Sequence, residues 1–225
     1  RIIMLSRNFF NQDAIKTAKA LLGKILRARY DKVWLCAQII ETEAYFQNEK
    51  GSHASLGYTD KRKALFMSPG TIYMYYARGS DSLNVSCRGK GNAVLIKSGY
   101  PYKNGKKTDK MIPVMQKLNP PKYGNGVRPI ERLCAGQTLL CKSLGITVKE
   151  WDQQQFDPNR FYIEDIGSTP TQIIQTTRLG IPVKRDDHLL YRFIDSGFSK
   201  FCTSNPLTKR NYLEGKHYRL IRYLK

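Results

Sequence analysis

The chain has 225 residues, 41% of them hydrophobic, which suits one large domain with a sizeable core, and no linker-like tract divides it. Lys and Arg total 38 against 18 Asp and Glu, a formal charge of +20; such a surplus costs self-repulsion in the fold and points to a polyanionic partner, nucleic acid before an acidic membrane surface. Five cysteines with no C-x-x-C pair and three scattered histidines argue against a disulfide framework or a zinc site, and no run approaches the roughly 20 apolar residues of a membrane span.

From Asn8 to Leu22 the spacing of Ile15, Ala18 and Leu22 predicts an amphipathic helix, with Asn11 as its N-cap and Gly23 as its stop. Lys24 to Tyr30 alternates, turns at Asp31-Lys32 and leads into an apolar strand from Val33, a hairpin by its turn length. That strand runs into Gln38-Ile-Ile-Glu-Thr-Glu-Ala-Tyr45, two carboxylates emerging from an apolar run and ending on an aromatic. In extended backbone, residues two apart share a face and lie about 7 Å apart, which sets Glu43 beside Tyr45 over one pocket. An acid against an aromatic platform suits chemistry on a flat, uncharged ring. Taken alone, the octapeptide reads more readily as the solvated end of a strand with a core tyrosine.

Residues 47–62 form a polar loop with His53 in its middle. After the Ser68-Pro69-Gly70 turn, residues 71–86 predict a second hairpin, with Tyr73 and Tyr75 on one face and Arg78 at its small, polar tip. Beyond Arg88-Gly-Lys-Gly91, Asn92 to Lys97 reads as a buried strand ending on a base. Lys103 to Lys110 is the most basic stretch, and Pro113, Pro120, Pro121 and Pro129 predict a mobile cationic insert after it. Glu131 to Gly145 reads as a helix, and 161–164, 172–179 and 189–194 as strands. The end, Pro206 to Lys225, interleaves Lys209, Arg210, Lys216, Arg219 and Arg222 with tyrosines. Few helices and many strands on short turns predict an α+β domain with a curved, mainly antiparallel sheet.

Five motifs stand in order: Glu41-Thr-Glu-Ala-Tyr45; His53, ten residues beyond Glu43; Leu65-Phe-Met-Ser-Pro-Gly-Thr-Ile-Tyr-Met-Tyr75; Leu83-Asn-Val-Ser86; and Ala93-Val-Leu-Ile96. With Leu21-Leu-Gly-Lys-Ile-Leu26, the Leu-Cys-x-Gly of 133–136 and Arg178-Leu-Gly-Ile181, this set resembles the alkyladenine DNA glycosylase family over roughly residues 8–200. These are the mammalian-type 3-methyladenine DNA glycosylases, which also occur in bacteria. The resemblance implies a base-excision repair enzyme that flips alkylated or deaminated purines out of double-stranded DNA and hydrolyses the N-glycosidic bond, leaving an abasic site. It implies Glu43 as general base, Lys97 near the water and the target phosphate where arginine is usual, and the backbone carbonyl of Leu179 as a second hold on that water. Tyr45 and His53 match the residues that sandwich the flipped base, Tyr75 the aromatic lining its pocket, and Asn84 the residue that rejects guanine. A lysine at 97 keeps the charge but loses the planar fork.

The protruding hairpin would insert a wedge into DNA; its tip is one residue shorter than the family's and offers Arg78 or Tyr76 in place of the usual tyrosine, with Arg88 and Lys90 as further DNA contacts. Gln137 and Leu139 replace a usual Pro and Lys. The expected layout is a glycosylase domain over 1–204 with a basic extension over 205–225 packed on it. A monomer is expected, with no cofactor, metal or membrane, intracellular in the nucleoid if bacterial and otherwise in the nucleus. Two readings compete: a non-catalytic nucleic-acid-binding protein on the same fold, and a metal-dependent nuclease holding Mg²⁺ on Glu41 and Glu43.

Overall fold

The computed structural model describes residues 3–77 and 80–223. One strand of 13 residues, β2 (Val33–Tyr45), organises it. Its first half pairs with β1 (Ile25–Tyr30) from Gln38↔Ile25 to Val33↔Tyr30, a hairpin closed by Asp31 at φ 54° and Lys32. Its second half pairs with β5 (Ala93–Pro101), and over Glu41, Thr42 and Glu43 it also pairs with β8 (Arg192–Asp195). Those three residues therefore sit mid-sheet, with a strand on each side. All the strand pairings described are antiparallel: outward from β5 come β4 (Ser80–Ser86) and β3 (Ile72–Ala77), and outward from β8 come β7 (Gln172–Thr176) and β9 (Tyr218–Arg222). Strand β6 (Phe161–Glu164) flanks β1. The β2–β5 register slips between Ile39 and Glu41 and again between Glu41 and Thr42. Such a bulge re-aims side chains, here at the two acids.

Helices cover this curved sheet, as an α+β domain requires. The expected first helix is two: α1 (Arg7–Phe10) and α2 (Ala14–Leu21). The N-cap of the longer one is Asp13, not Asn11, because the Asp13 carboxylate reaches the N–H groups of both Ile15 and Lys16 and adds negative charge at the helix start. Ala14, Thr17, Ala18 and Leu21 face inward.

The proline-containing segment after the basic stretch begins with a helix. Helix α3 (Met111–Leu118) buries Met111 and Met115 completely against the core. Pro113 is its third residue, inside the first turn, where the missing N–H has no intrahelical partner to lose. Helix α4 (Gln137–Leu144) begins six residues later than Glu131, after a 3-10 turn over Ile130–Arg132, and stops at Gly145 as expected, with φ 64° in the left-handed region. Helix α5 is one turn, Val148–Trp151.

Phe10, Leu21, Leu26, Leu35, Ile39, Val94, Leu140 and Phe193 belong to one continuous core between these helices and the sheet. Strand β7 ends at Thr176 rather than Leu179 and β8 begins at Arg192 rather than Leu189. The residues so released, 177–191, form a loop beside the second half of β2.

Candidate active site

Glu43 is completely buried, and three groups converge on its carboxylate. The Tyr45 hydroxyl donates to Oε1 at 2.8 Å, the backbone N–H of Leu179 donates to Oε2 at 3.1 Å, and Lys97 Nζ lies 3.3 Å from Oε2. Each arrives from a different element: Tyr45 from the same face of β2, Lys97 from β5 two residues past Leu95, the cross-strand neighbour of Glu43, and Leu179 from the loop after β7. A carboxylate without water needs this company, since an unpaired buried charge is prohibitively costly. The structure thus brings Leu179 to the acid through its N–H.

Tyr45 is itself held. The Arg178 guanidinium lies 4.6 Å from its ring centroid and 5.3 Å from that of Tyr191, donates to Ala44 O at 3.0 Å, and pairs through both terminal nitrogens with Glu49. Burial first and the Glu43 charge second push the Tyr45 hydroxyl well above its ordinary 10, so at neutral pH it remains a proton donor.

Glu43 opens onto a cavity of ≈ 720 Å³ lined by Tyr45, His53, Tyr73, Tyr75, Asn84, Lys97 and Leu179, among others. Its volume falls in the range of small-molecule sites. The His53 and Tyr75 rings meet at 4.6 Å and 65°, Tyr73 and Tyr75 at 5.6 Å and 35°, and His53 Nδ1 is 3.2 Å from the Tyr73 hydroxyl. Burial, helped by the Arg62 charge, lowers the His53 pKa from its ordinary 6.5, favouring the neutral ring. Asn84 pairs with Tyr73 across β3–β4, and its Nδ2 donates to Tyr73 O at 3.2 Å, which fixes the orientation of the amide at the wall. Tyr73, read from sequence only as a neighbour of Tyr75, lines the cavity as well.

The expected DNA-contact residues are not gathered with this set. Tyr76 is 67% exposed at the end of β3, outside the cavity wall, and Arg78 lies outside the described residues. Arg88 is tied to the loop between α1 and α2, donating to Asn11 O and, at 3.4 Å, to Asn11 Oδ1. Lys90 is exposed in the same turn, at the end of β4 opposite the hairpin tip.

Glu41, the other acid of the pair, is also completely buried but does not line the cavity. Its oxygens accept from Ser98 Oγ at 2.6 Å, Thr203 Oγ1 at 2.6 Å, Thr203 N at 3.0 Å and Arg192 Nη1 at 3.0 Å. These four donors match the roughly four acceptor sites of a carboxylate, which leaves Glu41 none for a cation. Among the described residues no three His, Cys, Asp or Glu side chains are placed to hold a metal ion together. Sequence reasoning missed Ser98, Arg192 and Thr203 in this role. Arg192 was the discoverable one, a cation inside the otherwise uncharged run 189–194.

Comparison with known proteins supplies the class of this protein: that of the DNA glycosylases, hydrolases of DNA repair. A Pseudomonas savastanoi pv. phaseolicola protein provisionally named a 3-methyladenine DNA glycosylase is 58% identical over 214 residues, 95% of this chain and 95% of its own length. One of the same provisional name from Pseudomonas aeruginosa strain UCBPP-PA14 is 57% identical over 217 residues, 96% of this chain and 90% of its own. The DNA-3-methyladenine glycosylase of Mus musculus is 32% identical over 185 residues, 79% of this chain and 54% of its own. The sequence pattern of the methylpurine-DNA glycosylase family matches residues 8–199, and the chain belongs to that family.

Proposed function

We propose that this enzyme receives a damaged purine, rotated out of duplex DNA, in the cavity at Glu43 and hydrolyses its N-glycosidic bond with a water that Glu43 activates, leaving an abasic site. The observation that carries this reading is the completely buried Glu43 at an aromatic-lined cavity in a chain of net charge +20. Two hydrogen bonds and the Lys97 ion pair leave the carboxylate with acceptor capacity, which under this reading orients a water toward a sugar carbon. The same carboxylate stabilises positive charge that grows on the sugar as the base departs. Lys97, Leu179 N–H and the Tyr45 hydroxyl are the positioning groups that hold its angle.

Tyr45, His53 and Tyr75 offer π-faces to the extruded ring, and a neutral His53 stacks on a cationic methylated purine without repelling it. Asn84, its amide held by Tyr73 O at the cavity wall, is the residue this reading assigns to rejecting guanine through its amino group. The double-stranded substrate, the monomeric state and the intercalating role of Arg78 or Tyr76 belong to the same reading.

The test is base release from duplexes carrying hypoxanthine, ethenoadenine or 3-methyladenine, in EDTA. Release by the wild-type chain is expected, with its loss in Glu43→Gln while lesion binding persists. Undiminished release by Glu43→Gln overturns the assignment. Binding without release on every lesion favours the non-catalytic reading.

A further inference from the structure

The segment after Thr203 lies beyond residues 8–199, which carry the family match. It is nonetheless built onto the site. Thr203 lines the cavity, and buried Asn205 donates through Nδ2 to Ser199 O and Thr203 O, both at 2.9 Å. At the far end Tyr218 pairs with Thr176 in the sheet, and Thr176 Oγ1 donates to His217 O at 3.1 Å, three residues before Leu179. The loop between these two anchors is therefore fastened beside the cavity at both ends. Within it the Leu213 N–H donates to His217 Nδ1 at 2.9 Å.

This loop and the strand after it expose Lys209, Arg210, Lys216, Arg219 and Arg222, against Glu214 as their acid. None of the five cations is in an ion pair among the described residues. Concentrated, unneutralised charge on an anchored surface costs self-repulsion, and a polyanion relieves it. Its place beside the cavity selects which polyanion.

We propose that residues 205–222 are a second DNA-contact surface, in which Lys209, Arg210 and Lys216 bind backbone phosphates of the duplex flanking the flipped nucleotide. The proposal rests on the glycosylase reading for the position of the duplex. Phosphate contacts of this kind lengthen the footprint and add to affinity without reading sequence.

The experiment is a triple variant, Lys209→Ala/Arg210→Ala/Lys216→Ala, with lesion-duplex binding followed by fluorescence anisotropy between 50 and 200 mM salt. Each lost phosphate contact lowers the slope of log K against log salt by about 0.9, so a fall of about 2 to 3 is expected. Single-turnover base release at saturating enzyme should equal that of the wild type, and a Lys209→Arg/Lys216→Arg variant should keep the full slope. An unchanged slope in the triple variant overturns the proposal, as does a fall that the charge-preserving variant shares. Failure of the wild type to release any base, with the slope still falling in the triple variant, would count against the catalytic reading and leave this contact standing.

Discussion

Stability responds to the loss of the Glu41 charge in opposite directions depending on what that acid does, so Glu41→Gln is the most informative substitution. Glutamine keeps the shape but puts an amide donor where Ser98, Thr203 and Arg192 already present donors, and it strips the counter-charge from Arg192, itself 2% exposed. Removing one partner of a buried ion pair costs about 3–5 kcal/mol. Arg192 retains Thr177 O at 2.7 Å and Ser204 O at 2.9 Å as acceptors. We therefore expect the lower end, about 3 kcal/mol, which for a domain of this size lowers the melting temperature by roughly 6–12 °C. Urea unfolding of the variant beside the wild type measures it. Were Glu41 instead half of a metal-binding pair with Glu43, the metal-free protein would hold two repelling carboxylates, and the same substitution would stabilise it. Unchanged or increased stability in Glu41→Gln refutes the role of Glu41 as a structural tie.

Tyr45→Phe keeps the ring and its contact with Arg178 but deletes the donor to Glu43; a hydrogen bond to a charged group contributes about 1.5–3 kcal/mol, so single-turnover base release should slow by about 10- to 100-fold with lesion binding near wild type. A wild-type rate would show that this hydroxyl does not orient the acid. All five cysteines are free and buried, and burial pushes Cys36 up to about 11 and Cys87 and Cys134 up to about 12. Ellman's reagent at pH 8 should therefore label none of them in the folded protein and all five in denaturant, and rapid labelling of a native thiol would contradict the burial.

The frame of the molecule was legible because it rests on local signals. Alternation marked β1, an apolar run β2, β-propensity after a turn the β3–β4 hairpin, and Gly145 the end of α4, since pattern and turn chemistry act within a few residues. Position within an element was harder. Pro113 reads as a breaker until its place in the first turn of α3 is known, and Asn11 reads as the cap until Asp13 is seen to reach two N–H groups.

The division of labour proposed for Glu41 and Glu43 lies beyond any local signal. They are the same residue type, two apart on one strand, and equally buried. What separates them comes from distant parts of the chain: Ser98, Arg192 and Thr203 saturate one, whereas Tyr45, Lys97 and Leu179 hold the other at the wall of a cavity. The register slip around Glu41 moves it relative to β5, so the period-2 rule that pairs the acids on paper does not give them the same neighbours. A carboxylate with every acceptor filled is a structural tie, and under the proposed function the one held at the cavity wall does the chemistry. That distinction turns on counting donors, and the donors arrive only when the chain has folded.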